Sequence, residues 1–155
     1  MVRLGATYRV EELVPHRGPM SLLDVIEDYG PDCLRAAVTP RPGARFATAS
    51  GVPGWVGIEY MAQAASAFAG IEQVQRGESP TIGLLIGARY YRCMQDSFAF
   101  GQRLTVTATI AMRDSADFAA YDCRIDLAGR AIAECTLKAY RPHDLAPLLA
   151  EGARD

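Results

Sequence analysis

Residues 52–66, VPGWVGIEYMAQAAS, place one carboxylate, Glu59, two residues beyond Gly57 and ahead of a run of small apolar residues suited to burial. From Trp55 to about Arg76 no proline intervenes and alanine is abundant, and RGESP (76–80) supplies Gly77 and Pro80 as stops, so the spacing predicts one long helix. Ala62, Ala64, Ala65, Ala67, Ala69 and Gly70 give that helix a thin waist, against which a curved sheet packs closely without large side chains forcing the layers apart.

On the N-terminal side, YRVEELVPHRG (8–18) reads as a short helix with Val10 and Leu13 or Val14 on one side, ended by Pro15 and Gly18. MSLLDVIEDY (20–29) and CLRAAVTP (33–40), joined by the turn signal GPD, read as a hairpin. RPGARFATASGVPG (41–54) is a loop that delivers the chain to the helix. After the helix come four stretches with strand character: TIGLLIGARYYRC (81–93), QRLTVTATIAMRD (102–114), FAAYDCRIDLA (118–128) and RAIAECTLKAYRP (130–142). The loop MQDSFAFG and short turns such as AGR separate them, which suggests a meander; LAPLLAEGARD (145–155) reads as a short helix fraying into a tail. The order is α+β, an antiparallel sheet covering one dominant helix.

A chain of 155 residues that is half hydrophobic and 22% charged fits one soluble domain, 1–155, and has no apolar segment long enough to span a bilayer. Its N-terminus lacks the apolar core of a signal peptide, which favours the cytosol. A formal charge of -2 supplies no field for nucleic acid. Cys33, Cys93, Cys123 and Cys135 form no CxxC pair and only two histidines accompany them, so the cysteines read as reduced core residues and no metal or other cofactor is expected.

Glu59, Gln63, Ser66, Gly70 and Gln73 fall on one side of the helix, a pattern that ordinarily marks a solvated face. Three local features set it apart. Glu59 lies in the first turns after Pro53-Gly54, where free backbone N–H groups favour an anionic oxygen. Gln63, one turn on, is spaced to hold Glu59. Trp55 and Phe46 offer an apolar wall beside which a carboxyl keeps its proton. His16, held between Pro15 and Gly18, is the second titratable candidate, although taken alone it reads equally as a turn histidine; His143, after the last strand, reads as exposed.

LVPHRGPMSLLDVI (13–26) and PGWVGIEYMAQAAS (53–66) resemble two motifs of the hot-dog fold 3-hydroxyacyl-acyl-carrier-protein dehydratases: a Leu-Pro-His-Arg segment, and Pro-Gly followed by Glu-x-Met-Ala-Gln on the central helix. IGLLIGARYYRCMQDSFAFGQRLTV (82–106) fits the strand, loop and strand that follow. The resemblance implies a sheet wrapped on the long helix, protomers paired through their sheets into a dimer or higher oligomer, and active sites at the subunit interface. It implies Glu59 as catalytic acid and the Gly54 N–H as the donor that polarises the thioester carbonyl. The family's His-Phe-Pro-Gly motif is missing; the corresponding ARFATASGVPG (44–54) holds Arg45 and Phe46 and no histidine. PHRGPM (15–20) is similar to the Pro-His-x-Gly-x-Met motif of dehydratase-like proteins of aryl polyene pathways, which favours His16 as the substitute base.

The expected mechanism is water loss from a 3-hydroxyacyl thioester, with His16 as base, Glu59 of the partner subunit as acid, Gly54 N–H stabilising the enolate oxygen and Gln63 holding Glu59. The thioester would be carried by an acyl carrier protein or coenzyme A, and Arg17, Arg45 and Arg92 are candidate docking points for an acidic carrier. Two other readings fit the missing histidine: an acyl thioesterase on the same fold, and a non-catalytic acyl-binding subunit that completes a heteromer with a related chain.

Overall fold

The computed structural model describes residues 8–142 and 144–151. His143 and the tail beyond Glu151, for which exposure and fraying are expected, lie outside the described residues. In chain order the elements are α1 (Val10–Leu13), β1 (Val25–Tyr29), β2 (Cys33–Val38), β3 (Val52–Pro53), α2 (Gly57–Gln75), β4 (Leu84–Cys93), β5 (Ser97–Phe98), β6 (Leu104–Arg113), β7 (Phe118–Leu127), β8 (Arg130–Tyr140) and α3 (Ala146–Glu151). A 3-10 turn, Gly54–Val56, leads directly into α2.

The helix ends where the sequence says it should. Gly77 takes a left-handed φ of 75°, its N–H donates to the Val74 carbonyl, and the Glu78 N–H donates to the Gln73 carbonyl at 2.9 Å, so the last orphan carbonyls are satisfied in a Schellman arrangement. The β7–β8 hairpin turns on Ala128 and Gly129, both at positive φ, which is the two-residue turn whose twist matches the strands.

Six strands form one antiparallel sheet in the order β1-β2-β6-β7-β8-β4, and β3 pairs with β5 separately. The expected meander therefore holds only for β6, β7 and β8. β4 crosses to the far edge and pairs with β8, while β2 takes the place beside β6. The small residues explain how the sheet meets the helix. Ala36, Ala108, Cys123, Ala133 and Cys135 are buried in adjacent strands, Ala108 opposite Cys123 and Cys123 opposite Cys135. They make a shallow trough for Met61, Ala64, Ala67 and Phe68 of α2, which are equally buried. All four cysteines are free thiols, and burial raises the pKa of Cys123 and Cys135, which keeps them unreactive. Among the described residues no helix is long and apolar enough to cross a membrane.

The polar stripe of α2 is not solvated. Gln63 is fully buried and Gln73 nearly so, and Gln73 clamps Thr81 through both its amide atoms. Gly70 lies against the Leu13 backbone, where a Cβ would land on the Leu13 carbonyl. Gly70 and Gln63 thus seat α1 and the segment after it, while Gln73 holds the chain that follows α2. Gly70→Ala should lower stability by about 1–2 kcal/mol despite the better helix propensity of alanine, because backbone must move to admit one methyl. A fall in Tm of a few degrees would register this, and a rise would contradict the close crossing.

Candidate active site

The site is built on α2 and on the irregular segment between α1 and β1. Gln63 joins them. Its Oε1 accepts from the Leu22 N–H at 2.9 Å, and its Nε2 donates both to the Met20 carbonyl at 2.7 Å and to Glu59 Oε1 at 2.8 Å. The backbone donor and the backbone acceptor fix which way the amide points, so Glu59 Oε1 must act as acceptor. His16 Nε2 sits 3.3 Å from the same oxygen, with both side chains about 30% exposed (28% and 32%). His16 Nδ1 is buried and has no hydrogen-bond partner among the described residues.

These contacts lie within one chain. The sequence reading set His16 against Glu59 of the partner subunit; within this chain Pro15 and the 3-10 turn Gly18–Met20 fold the segment back onto its own α2, with Gln63 as anchor, and bring His16 to its own Glu59. The reading also gave the Gly54 N–H to a thioester carbonyl. That N–H is already used, donating to the Asp96 carbonyl at 2.8 Å where β3 pairs with β5. Tyr91 Oη donates to the Gly54 carbonyl, and desolvation holds the Tyr91 phenol above its ordinary pKa.

Phe46 and Trp55 do not form the wall expected beside Glu59. They meet each other edge-on, ring centroids 5.6 Å apart, and Trp55 is 61% exposed. Phe46 takes a left-handed φ of 68°, with the Arg45 guanidinium over its ring. The three candidate docking arginines are all exposed. Arg17 curls back to donate to the Val14 and His16 carbonyls, Arg45 covers Phe46, and Arg92 lies on β4 opposite Glu134.

His16 and Glu59 open into a cavity of about 420 Å³ whose floor is one face of α2: Ala62, Ala65, Ser66 and Ala69. The first residues of β4 and the ends of β7 and β8 form its walls. The alanines noted for their small size thus divide their work. Ala64 and Ala67 face the sheet, and Ala62, Ala65 and Ala69 leave room beside it. The sequence reading missed this cavity, because its walls come from strands some 20 to 80 residues away along the chain.

A dehydratase family model, ApeP-like, matches residues 8–150, nearly the whole chain. The chain belongs to the ApeP-like dehydratase family. Its fold is similar to that of a chain of the dehydratase heterocomplex ApeI:P from Xenorhabdus doucetiae, with a TM-score of 0.86 and 26% identity over 93% of this chain and 99% of that one. The likeness to aryl polyene dehydratases read from PHRGPM, and the hot-dog architecture, are thereby borne out. Two further structures share the fold alone. One is the PaaI protein of the phenylacetic acid degradation operon of E. coli (TM-score 0.58, 15% identity, 75% of this chain and 81% of that one). The other is a hypothetical thioesterase with coenzyme A from Streptococcus pneumoniae TIGR4 (TM-score 0.59, 11% identity, 76% and 84%). A comparison with curated proteins gives no match.

Gln63→Leu should leave the Leu22 N–H and the Met20 carbonyl unsatisfied and Glu59 unanchored, at a cost of about 3 kcal/mol. Urea unfolding measures this; a loss below about 0.5 kcal/mol would show that the amide does not hold the two segments together.

Proposed function

We propose that this chain eliminates water from 3-hydroxyacyl thioesters to give trans-2-enoyl thioesters, in the manner of a dehydratase of aryl polyene synthesis. The observation that carries the reading is the Gln63-anchored pair of His16 and Glu59 at the end of a slender, largely apolar cavity. Family membership supports elimination rather than thioester hydrolysis.

Neutral His16 takes a proton from C2 through Nε2. The electron pair of that C–H bond forms the C2–C3 double bond, the C3–O bond breaks, and protonated Glu59 gives its proton to the departing hydroxyl, which leaves as water. Since Oε1 is committed to Gln63 and faces His16, Oε2 is the oxygen left for the substrate. The turnover leaves an imidazolium beside a carboxylate. Before the next cycle the imidazolium gives up its proton and the Glu59 carboxylate regains one at Oε2, both by exchange with solvent.

The thioester is delivered on a pantetheine arm, carrier-protein-bound or as coenzyme A, and Arg17, next to His16 in the chain, is the docking arginine nearest the site. The relative of known structure is a chain of the dehydratase heterocomplex ApeI:P, and a related hot-dog subunit is the partner proposed here. Its seat is the outer edge of β4, which pairs with a strand on one side only and carries exposed Leu85, Ile86 and Tyr90.

Purified protein given 3-hydroxyacyl and saturated acyl thioesters should form the enoyl product from the first and release no thiol from the second; thiol release, or no product from either, would reject the reading. Glu59→Gln and His16→Ala should each slow water loss at least about a hundredfold while the chain stays folded by circular dichroism. An active His16→Ala protein would remove His16 from the proton transfers.

A further inference from the structure

A histidine that moves protons is ordinarily oriented through its second ring nitrogen, which donates to a carboxylate or a carbonyl. His16 has no such support. Its Nδ1 is buried and finds no hydrogen-bond partner among the described residues, while Nε2 meets the Glu59 carboxylate, the group it must work with. Orientation of the ring therefore falls to the backbone that carries it.

That backbone belongs to no helix or strand over residues 15–17, and Gly18, at a left-handed φ of 56°, turns the chain immediately afterwards. Pro15 fixes one of its dihedrals. Arg17 restrains the others: its Nη1 donates to the Val14 carbonyl at 2.6 Å and to the His16 carbonyl at 2.8 Å. One guanidinium nitrogen thus ties together the carbonyls on either side of the Pro15–His16 pair. The Val14 carbonyl is also one of those that the end of α1 leaves without a partner in the helix, so the same contact caps α1 with a cation. No carboxylate pairs with Arg17 among the described residues, and nothing there draws the guanidinium away from these two carbonyls.

We propose that Arg17 is a positioning residue for His16, on the reading of His16 as the base of the dehydration: its guanidinium sets the backbone that aims the imidazole at Glu59. An arginine valued only for its charge acts on an acidic carrier. One that sets His16 acts on every substrate, carrier-borne or free. Lysine separates the two roles, because it keeps the charge but ends one bond short of Nη1 and lacks the planar fork.

The test is Arg17→Lys in the full-length chain, assayed with the same 3-hydroxyacyl group borne by an acyl carrier protein and by pantetheine alone. The kcat should fall about tenfold on both thioesters while each KM stays within about twofold. An unchanged kcat, with or without a raised KM for the carrier-borne thioester, would overturn the proposal. A further measurement needs no turnover. The His16 ring and the Gln63 side-chain amide converge on the same Glu59 oxygen, so the wild-type protein should show a nuclear Overhauser contact between them, and Arg17→Lys should lose it. Survival of that contact at wild-type strength would overturn the proposal whatever the kinetics. So would unfolding of the variant by circular dichroism, because the role claimed is local. If the wild-type protein dehydrates neither thioester, the dehydration reading fails, and the Overhauser contact alone decides the role of Arg17.

Discussion

A buried amide holds the site together. Gln63 spends every hydrogen-bonding group it has on three partners from two parts of the chain: the Leu22 N–H, the Met20 carbonyl and the Glu59 carboxylate. The partners at 20 and 22 belong to a segment with almost no regular structure of its own, and their backbone groups would otherwise be left unsatisfied in a partly buried place. That segment carries His16. Once the amide is seated, the imidazole has one place to go, against Glu59, and the distance between the two functional groups is set by the core rather than by a mobile loop.

The same economy of side-chain volume serves stability and function at once. Small residues in the sheet, Ala36, Ala108 and the facing cysteines, let α2 sink into the trough, and small residues on the flank of α2 leave a slot that the sheet does not fill. A helix with leucines at 62, 65 and 69 would bury more apolar surface and fill the slot. The slot is therefore a place where packing is given up locally, and the cross-strand pairs of β6, β7 and β8 make up for it elsewhere.

Much of this was legible in the amino-acid order. Gly77 ended the helix as a glycine at such a position must, Ala128-Gly129 turned the hairpin, and Glu59 and Gln63 lay one turn apart as hydrogen-bonding partners do. What was hidden depends on contacts distant in the chain. Nothing local to residues 84–93 says that they cross to the edge beside β8. The two-residue pairing of β3 with β5, buried in apparent loops, removes the Gly54 N–H from service, and no periodicity announces a pairing so short. The polar stripe of α2 looked like a water-facing side because its partners, Leu13, Met20, Leu22 and Thr81, come from segments whose placement only the fold determines. For the same reason Phe46 and Trp55, near Glu59 in sequence, turned out to face each other and not the cavity.

The central claim is that the proposed acid and base, Glu59 and His16, belong to one polypeptide. It can be tested by complementation: chains bearing His16→Ala and chains bearing Glu59→Gln, differently tagged, are co-expressed, and complexes containing both are isolated by tandem affinity and assayed for enoyl formation. A pair housed in a single chain predicts that the mixed complex is as inactive as either parent. Recovery of a substantial fraction of wild-type activity would mean that the imidazole of one subunit works with the carboxylate of another, and would contradict the account.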